Sequence, residues 1–143
     1  MEIIVRKPEI CDISDMIKLN DEFNGVGCTV ESMKGSLVNS KNEIVYVAVV
    51  DEKVVGFICG LYWQSICYAD GFQGIVTELI VSEKYRRNGI ATKLIQALEL
   101  EFIHIDVREI VIETPVTNIA GKSFYENCGY IGKTAMKYEK SFD

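Results

Sequence analysis

Two apolar runs on either side of a short polar turn constrain this chain more than any other feature. Ile44–Val50 is uninterrupted β-branched, aromatic and small apolar sequence, and Val54–Trp63 follows after only Asp51, Glu52 and Lys53. The pair reads as a β-hairpin. A strand without polar alternation has to be buried on both faces, so helices must cover the sheet from either side. A chain of 143 residues with 48% apolar side chains can supply those layers as one domain. The expected class is α/β.

The other segments fit around that hairpin. Ile3–Arg6 reads as a short strand. Asp12 is placed to cap a helix running to Asn20, with Ile13, Met16, Ile17 and Phe23 on one side, before Phe23-Asn-Gly-Val-Gly27 breaks it. Thr29 is placed to cap a second helix over Val30–Val38. Gly56 and Gly60 in the second hairpin strand point to bulges or close backbone approach. A loop over Gln64–Gly74 leads to a strand at Ile75–Val81. Gly89–Ile105 carries the strongest helical stripe, with Ile90, Leu94, Leu98 and Phe102 recurring at i+4. Arg108–Thr114 reads as a strand ended by Pro115. Asn118 can cap a helix to Asn127 that stops at Gly129, and Tyr130–Lys140 is expected to supply one or two closing strands. The order β-α-α-β-β-β-α-β-α-β implies a mixed sheet.

Composition removes several function classes. Twenty-one acidic against 15 basic residues give a net charge of −6 with no long basic run, which argues against nucleic acid as a partner. No stretch approaches the ~18 apolar residues of a membrane helix and the N-terminus lacks a signal-peptide pattern, so no membrane partner and a cytoplasmic location are expected. Cys11, Cys28, Cys59, Cys67 and Cys128 show no C-x-x-C spacing, and His104 is the only histidine. Neither a disulfide framework nor a metal site follows. The charge is also uneven: Glu9, Asp12, Asp15, Asp21, Glu22 and Glu31 face only Lys18, whereas Lys84, Arg86, Arg87 and Lys93 have no acid among them.

Three features carry chemistry. The first is Val81-Ser-Glu-Lys-Tyr-Arg-Arg-Asn-Gly-Ile-Ala91, a turn between a strand and the strongest helix. A helix start leaves N–H groups unpaired and partly positive, which suits a phosphate. Gly89 lets the backbone approach it closely, Ala91 keeps the first turn slim, and Arg86, Arg87 and Lys93 add charge. The second is Glu78, an acid within Gly-Ile-Val-Thr-Glu-Leu-Ile-Val81. Burial of an ionised carboxylate is costly, so it must pair, protonate or face a cavity. Strict alternation would put Val76, Glu78 and Ile80 on one face. The third is Asn118-Ile-Ala-Gly-Lys-Ser-Phe-Tyr-Glu-Asn-Cys-Gly-Tyr130. Here Ala120 and Phe124 look like core, and Tyr125 sits at the stripe's edge with a phenol able to serve as a weak acid.

Taken together, these pieces resemble the GNAT N-acetyltransferase superfamily. The family's acetyl-CoA signature, Gln/Arg-x-x-Gly-x-Gly/Ala, is matched by Arg86, Gly89 and Ala91. Its later pattern of Asn, Ala, Phe-Tyr and Gly-Phe/Tyr is matched by Asn118, Ala120, Phe124, Tyr125, Gly129 and Tyr130. The resemblance spans nearly the whole chain in element order and is sharpest over residues 74–130. It implies a single domain over 1–143, with a mixed, mostly antiparallel sheet flanked by about four helices. It also implies a sheet splayed between the strands at 75–81 and 108–114.

By the same resemblance, the pantetheine arm of acetyl-CoA would lie in the splay against the backbone of the first strand, Leu79, Ile80 and Val81 included. The pyrophosphate would rest on Arg86, Arg87, Asn88, Gly89, Ile90 and Ala91, and Asn118 would touch the donor. Acetyl would pass directly to a primary amine. Glu78 would accept the amine's proton, directly or through water, and a backbone N–H near Leu79 or Ile80 would polarise the thioester carbonyl. Tyr125 would protonate the departing thiolate. The two early helices and the loop at 64–74 would border the acceptor, and their acidity favours a small cationic amine such as an aminoglycoside or polyamine. A protein or peptide amine and a non-catalytic acyl-CoA-binding module are the alternatives. A homodimer is compatible with the family.

Overall fold

The computed structural model describes residues 1–67 and 70–142, in two compact units, Met1–Ile112 and Glu113–Asp143. In the first unit, β1 (Ile4–Arg6) leads through a 3-10 turn (Ile10–Asp12) into α1 (Ile13–Asn24) and α2 (Val30–Asn39). Then come β2 (Glu43–Val50), β3 (Lys53–Trp63), β4 (Phe72–Val81), a 3-10 turn (Glu83–Tyr85), α3 (Ile90–His104) and β5 (Val107–Ile112). The second unit holds α4 (Ile119–Asn127). The five strands form one sheet in chain order, antiparallel from β1 to β4 and parallel between β4 and β5. Among the described residues this is the expected mixed α/β architecture with four helices.

The hairpin forms as its sequence requires. Val50 pairs with Lys53, leaving Asp51 and Glu52 as a two-residue loop, both with positive φ (49° and 64°). That is the loop geometry whose twist matches the flanking strands. Both faces of the hairpin are covered. On one face, Met16 and Leu19 of α1 bury against Val45, Val47, Phe57 and Ile80, with Met33 and Leu37 of α2 packed alongside. On the other, the α3 stripe of Leu94, Leu98 and Phe102 is fully buried.

Gly60 marks where α3 lies closest. A Cβ there would sit 2.7 Å from Phe102 Cζ and 2.9 Å from Leu98 Cδ2. The close approach expected of this glycine is therefore a demand of helix packing. Two caps are also as expected: the Thr29 hydroxyl accepts from Ser32 N–H, and Asn118 Oδ1 accepts from Gly121 N–H, both at 3.1 Å.

Three expectations are corrected. Asp12 makes no side-chain cap to α1; its carboxylate takes Arg6 instead, with Nη1–Oδ2 at 2.6 Å and Nη2–Oδ1 at 3.1 Å, and the Glu9 N–H at 2.7 Å. A bidentate charged partner outcompetes a single helix N–H. Residues 131–142 form no strand among the described residues and are exposed throughout, so the closing strands expected over Tyr130–Lys140 are absent. Lys137 of that run pairs with Glu113 and Glu139, while Ile131, Met136, Tyr138 and Phe142 stay exposed. The strand at 75–81 begins earlier, at Phe72; of the loop read over 64–74, Tyr68 and Ala69 lie outside the described residues. No helix among the described residues is long and apolar enough to cross a membrane.

Gly60→Val should lower stability by about 1–3 kcal/mol, because the added side chain must displace Phe102 and Leu98. Thermal unfolding monitored by circular dichroism checks this; an unchanged midpoint would mean that α3 does not sit so close.

Candidate active site

The site is built on β4, where the ladder changes. β4 pairs with β5 only from Phe72 to Val76, which lies opposite Ile112, yet it runs on to Val81. Among the described residues, the strand's second half therefore has β3 on one side and no strand on the other. A bulge falls at the same place: Cys59 is opposite Glu78 and Gly60 opposite Val76, so Thr77 is the extra residue. The Thr77 hydroxyl donates to the Cys59 carbonyl at 3.2 Å and holds the bulge.

The bulge resets the strand's parity. Before it, the Phe72 N–H points to the β5 side, donating to the Asp106 carbonyl at 2.9 Å. After it, the Ser82 N–H donates to Val55 across β3 at 2.7 Å. Alternation then turns the Ile80 N–H toward β3 and leaves the N–H and C=O groups of Leu79 and Val81 on the open edge. Ile80 is 4% exposed and belongs to the core under α1. Of the three strand residues expected to meet a donor, Leu79 and Val81 turn their backbone groups to the open edge, and Ile80 turns its own to β3.

The same reset moves Glu78. Strict alternation would place it with Val76. Instead Val76 shares the α3 face with its partner Gly60, and Glu78 shares the α1 face with Cys59 and Ile80. Glu78 is half-buried there. A second acid joins it, one that the sequence reading missed. Glu43 opens β2 opposite Leu61, two residues from Val45 on the same face. Burial pushes the Cys59 thiol well up, and the charges of Glu43 and Glu78 raise it further, so both carboxylates flank this sulfur. Burial also raises the Glu43 carboxyl. Among the described residues neither acid has an ion-pair partner. The available signal was Glu43 itself, a charge opening an otherwise apolar strand.

From Val81 the chain enters the basic turn. Arg87 (φ 64°) and Gly89 (φ 76°) adopt left-handed backbone, and Asn88 Nδ2 donates to the Tyr85 and Arg86 carbonyls at 3.0 and 3.2 Å. The loop is thereby shaped from within by Asn88. Gly89 caps α3 and its carbonyl accepts from Lys93 N–H at 3.0 Å. The N–H groups of Ile90, Ala91 and Thr92 precede that first helical bond and have no intrahelical acceptor. The Ile90 side chain is buried, so Ile90 offers only its backbone. A Cβ on Gly89 would meet nothing within 4 Å. Open space, unpaired N–H groups and exposed Arg86 and Arg87 make a cradle for an anion.

Asn118 and Tyr125 lie in the second unit. Asn118 Nδ2 donates to Thr114 Oγ1 at 3.0 Å while its Oδ1 caps α4, so its side chain fixes the helix start. Tyr125 is half-buried between Phe124 and Tyr130, with ring centroids 5.4 and 6.3 Å away. Burial, then the nearby Cys128, raises its phenol above the usual range, which keeps it protonated and able to donate. Among the described residues no group of His, Cys, Asp and Glu side chains is placed to hold a metal ion.

The acetyltransferase (GNAT) family model matches residues 14–130. The chain belongs to that family, whose acetyl donor is acetyl-CoA. Over 90 residues it is 33% identical to N-alpha-acetyltransferase 30 of Homo sapiens, covering 62% of this chain and 24% of that protein. With the protein of that name from Schizosaccharomyces pombe it shares 34% over 88 residues, 62% of this chain and 57% of the relative. The match thus spans a quarter to just over half the length of these curated relatives. Among solved structures, an aminoglycoside acetyltransferase from a soil metagenomic sample, in complex with sisomicin, superposes with a TM-score of 0.87 at 17% identity, over 99% of this chain and 97% of that one. AAC(6')-Iy bound to a CoA bisubstrate analogue superposes with a TM-score of 0.85 at 14% identity, over 99% and 100%. At those identities the likeness is one of fold.

Gly89→Trp should cost about 1–2 kcal/mol of stability through its left-handed backbone and abolish acetyl-CoA binding by filling the cradle. Calorimetric titration of the folded variant checks this; retained affinity would remove the loop as the phosphate site.

Proposed function

We propose that residues 1–143 act as a single acetyltransferase domain that moves acetyl from acetyl-CoA directly to a primary amine. The observation that carries this is the open edge of β4 leading straight into the unpaired N–H groups of α3. The pantetheine amides would pair with Leu79 and Val81 as an added strand does. The pyrophosphate would rest on Arg86 to Ala91, and Asn118 is a further candidate to touch the donor. The Leu79 N–H is the donor free to polarise the thioester carbonyl as negative charge develops on its oxygen.

An amine of pKa about 10 arrives mostly protonated and has to lose a proton to attack. Glu78 accepts it, directly or through water. Attack forms the C–N bond, the tetrahedral centre collapses with loss of the C–S bond, Tyr125 gives its proton to the leaving thiolate, and the second proton on the new amide nitrogen leaves through water, which restores the Tyr125 phenol. A covalent cysteine intermediate is disfavoured, because the thiol nearest Glu78, Cys59, is held protonated by burial and two acids.

The acceptor is a small cationic amine. Half-buried Glu43 and Glu78 on one face support this, as does Asp21 on α1, one of whose carboxylate oxygens is buried without a hydrogen-bond partner. A donor supplied by a ligand is worth most at such an atom. The acidity of the early helices itself argues less, since Asp12 is spent on Arg6 and Asp15 on the Val54 N–H. The N-terminal amine of a peptide is the second reading, supported by the 33–34% identity to N-alpha-acetyltransferases.

Thiol release from acetyl-CoA against polyamines, aminoglycosides and short peptides separates these readings. Faster turnover of the polycationic amines is expected. Preference for peptides would move the acceptor to a polypeptide, and binding without release for any amine would leave a non-catalytic module. Glu78→Gln should lower kcat by about 10²-fold or more and alter the rate–pH profile; an unaltered profile would remove Glu78 as the base.

A further inference from the structure

Arg86 does not hang freely in solvent. Its Nε donates to the Val81 carbonyl at 3.4 Å, at the open end of β4, and its guanidinium lies 5.2 Å from the centroid of the Phe23 ring. Phe23 is the penultimate residue of α1 and is 42% exposed, so the core does not account for where it sits. The stack and the Val81 bond together fix the plane of the cation. Among the described residues, the Arg86 Nη groups have no hydrogen-bond partner.

We infer that Phe23 is a positioning residue for the donor: it holds Arg86 over the mouth of the cradle so that the Nη groups meet a phosphate already oriented. This rests on the acetyl-CoA reading above. An arginine side chain loses roughly 2 kcal/mol of rotamer freedom when it is pinned. The ring removes part of that loss before the ligand arrives, and preorganisation of this kind appears as affinity. Phe23 touches neither substrate. Its effect should pass through Arg86 alone and reach only donors that carry phosphate.

The test uses Phe23→Leu, Phe23→Trp, Arg86→Gln and the Phe23→Leu/Arg86→Gln double variant, with acetyl-CoA and with S-acetyl-pantetheine, which lacks the pyrophosphate. A cation–π contact at an exposed site is worth about 0.5–1 kcal/mol, so Phe23→Leu should weaken acetyl-CoA binding about two- to five-fold. It should leave kcat/KM with S-acetyl-pantetheine unchanged and have no further effect in the Arg86→Gln background. Phe23→Trp should bind acetyl-CoA at least as well as the parent, and this arm stands even if the leucine variant fails to fold. Equal losses with both donors, or a full leucine effect without Arg86, would overturn the inference and leave the donor site intact. A parent protein that binds no acetyl-CoA would instead overturn the functional reading beneath it.

Discussion

The single extra residue at Thr77 organises the rest of the molecule. Upstream of it, β4 is an ordinary inner strand, bonded to β3 on one side and β5 on the other. Downstream, the inserted residue exchanges which groups face β3, just where β5 ends. The consequence is a strand edge in the middle of a well-covered α/β unit. Edges of this sort are normally blunted or hidden, because unpaired N–H and C=O groups recruit partners. Here the edge is short, and it ends at a loop rich in positive charge. In the proposed reading, a linear ligand with amides at one end and phosphates at the other would engage both parts at once.

The two layers flanking the sheet serve different purposes. α3 packs so closely that residue 60 has no room for a side chain, and its register fixes where its own N-terminus lies relative to Val81. Tyr46 reinforces that placement from β2, its hydroxyl donating to Glu101 at 2.6 Å, while Lys7 binds the same carboxylate at 2.8 Å. Burial and then the Glu101 contact hold the Tyr46 phenol up to about 12, so this tie stays protonated across the physiological range. On the opposite face, α1 and α2 cover the core less completely, and Glu43, Cys59 and Glu78 lie at its margin. In the proposed reaction, donor chemistry would thus belong to an edge and a helix start, and acceptor chemistry to a face.

Much of this was legible in the sequence wherever the cause is local. Thr29 and Asn118 cap their helices through bonds to residues three positions on, and the hairpin turn needed only its two apolar flanks. Asp12 misled because its preferred partner, Arg6, belongs to a different element, and nothing in the spacing ranks a guanidinium above a helix N–H. The face of Glu78 was misread for a similar reason. Alternation counts residues, and a bulge adds one without any change in composition. Glu43 escaped notice because its role depends on β2 lying two strands away from β4. The run after Tyr130 has strand-forming residues, with Met136 and Tyr138 at strand spacing, yet both side chains stay exposed.

The central claim is that Leu79 and Val81 turn their N–H groups to the open edge that would receive the donor, whereas the Ile80 N–H is already committed to β3. Amide hydrogen exchange resolved by NMR tests this residue by residue. In the free protein, the Leu79 and Val81 amides should exchange quickly and the Ile80 amide slowly; saturating acetyl-CoA should then protect the first two and leave Ile80 as it was. Protection of Leu79 and Val81 before ligand is added, or continued fast exchange in its presence, would contradict the account.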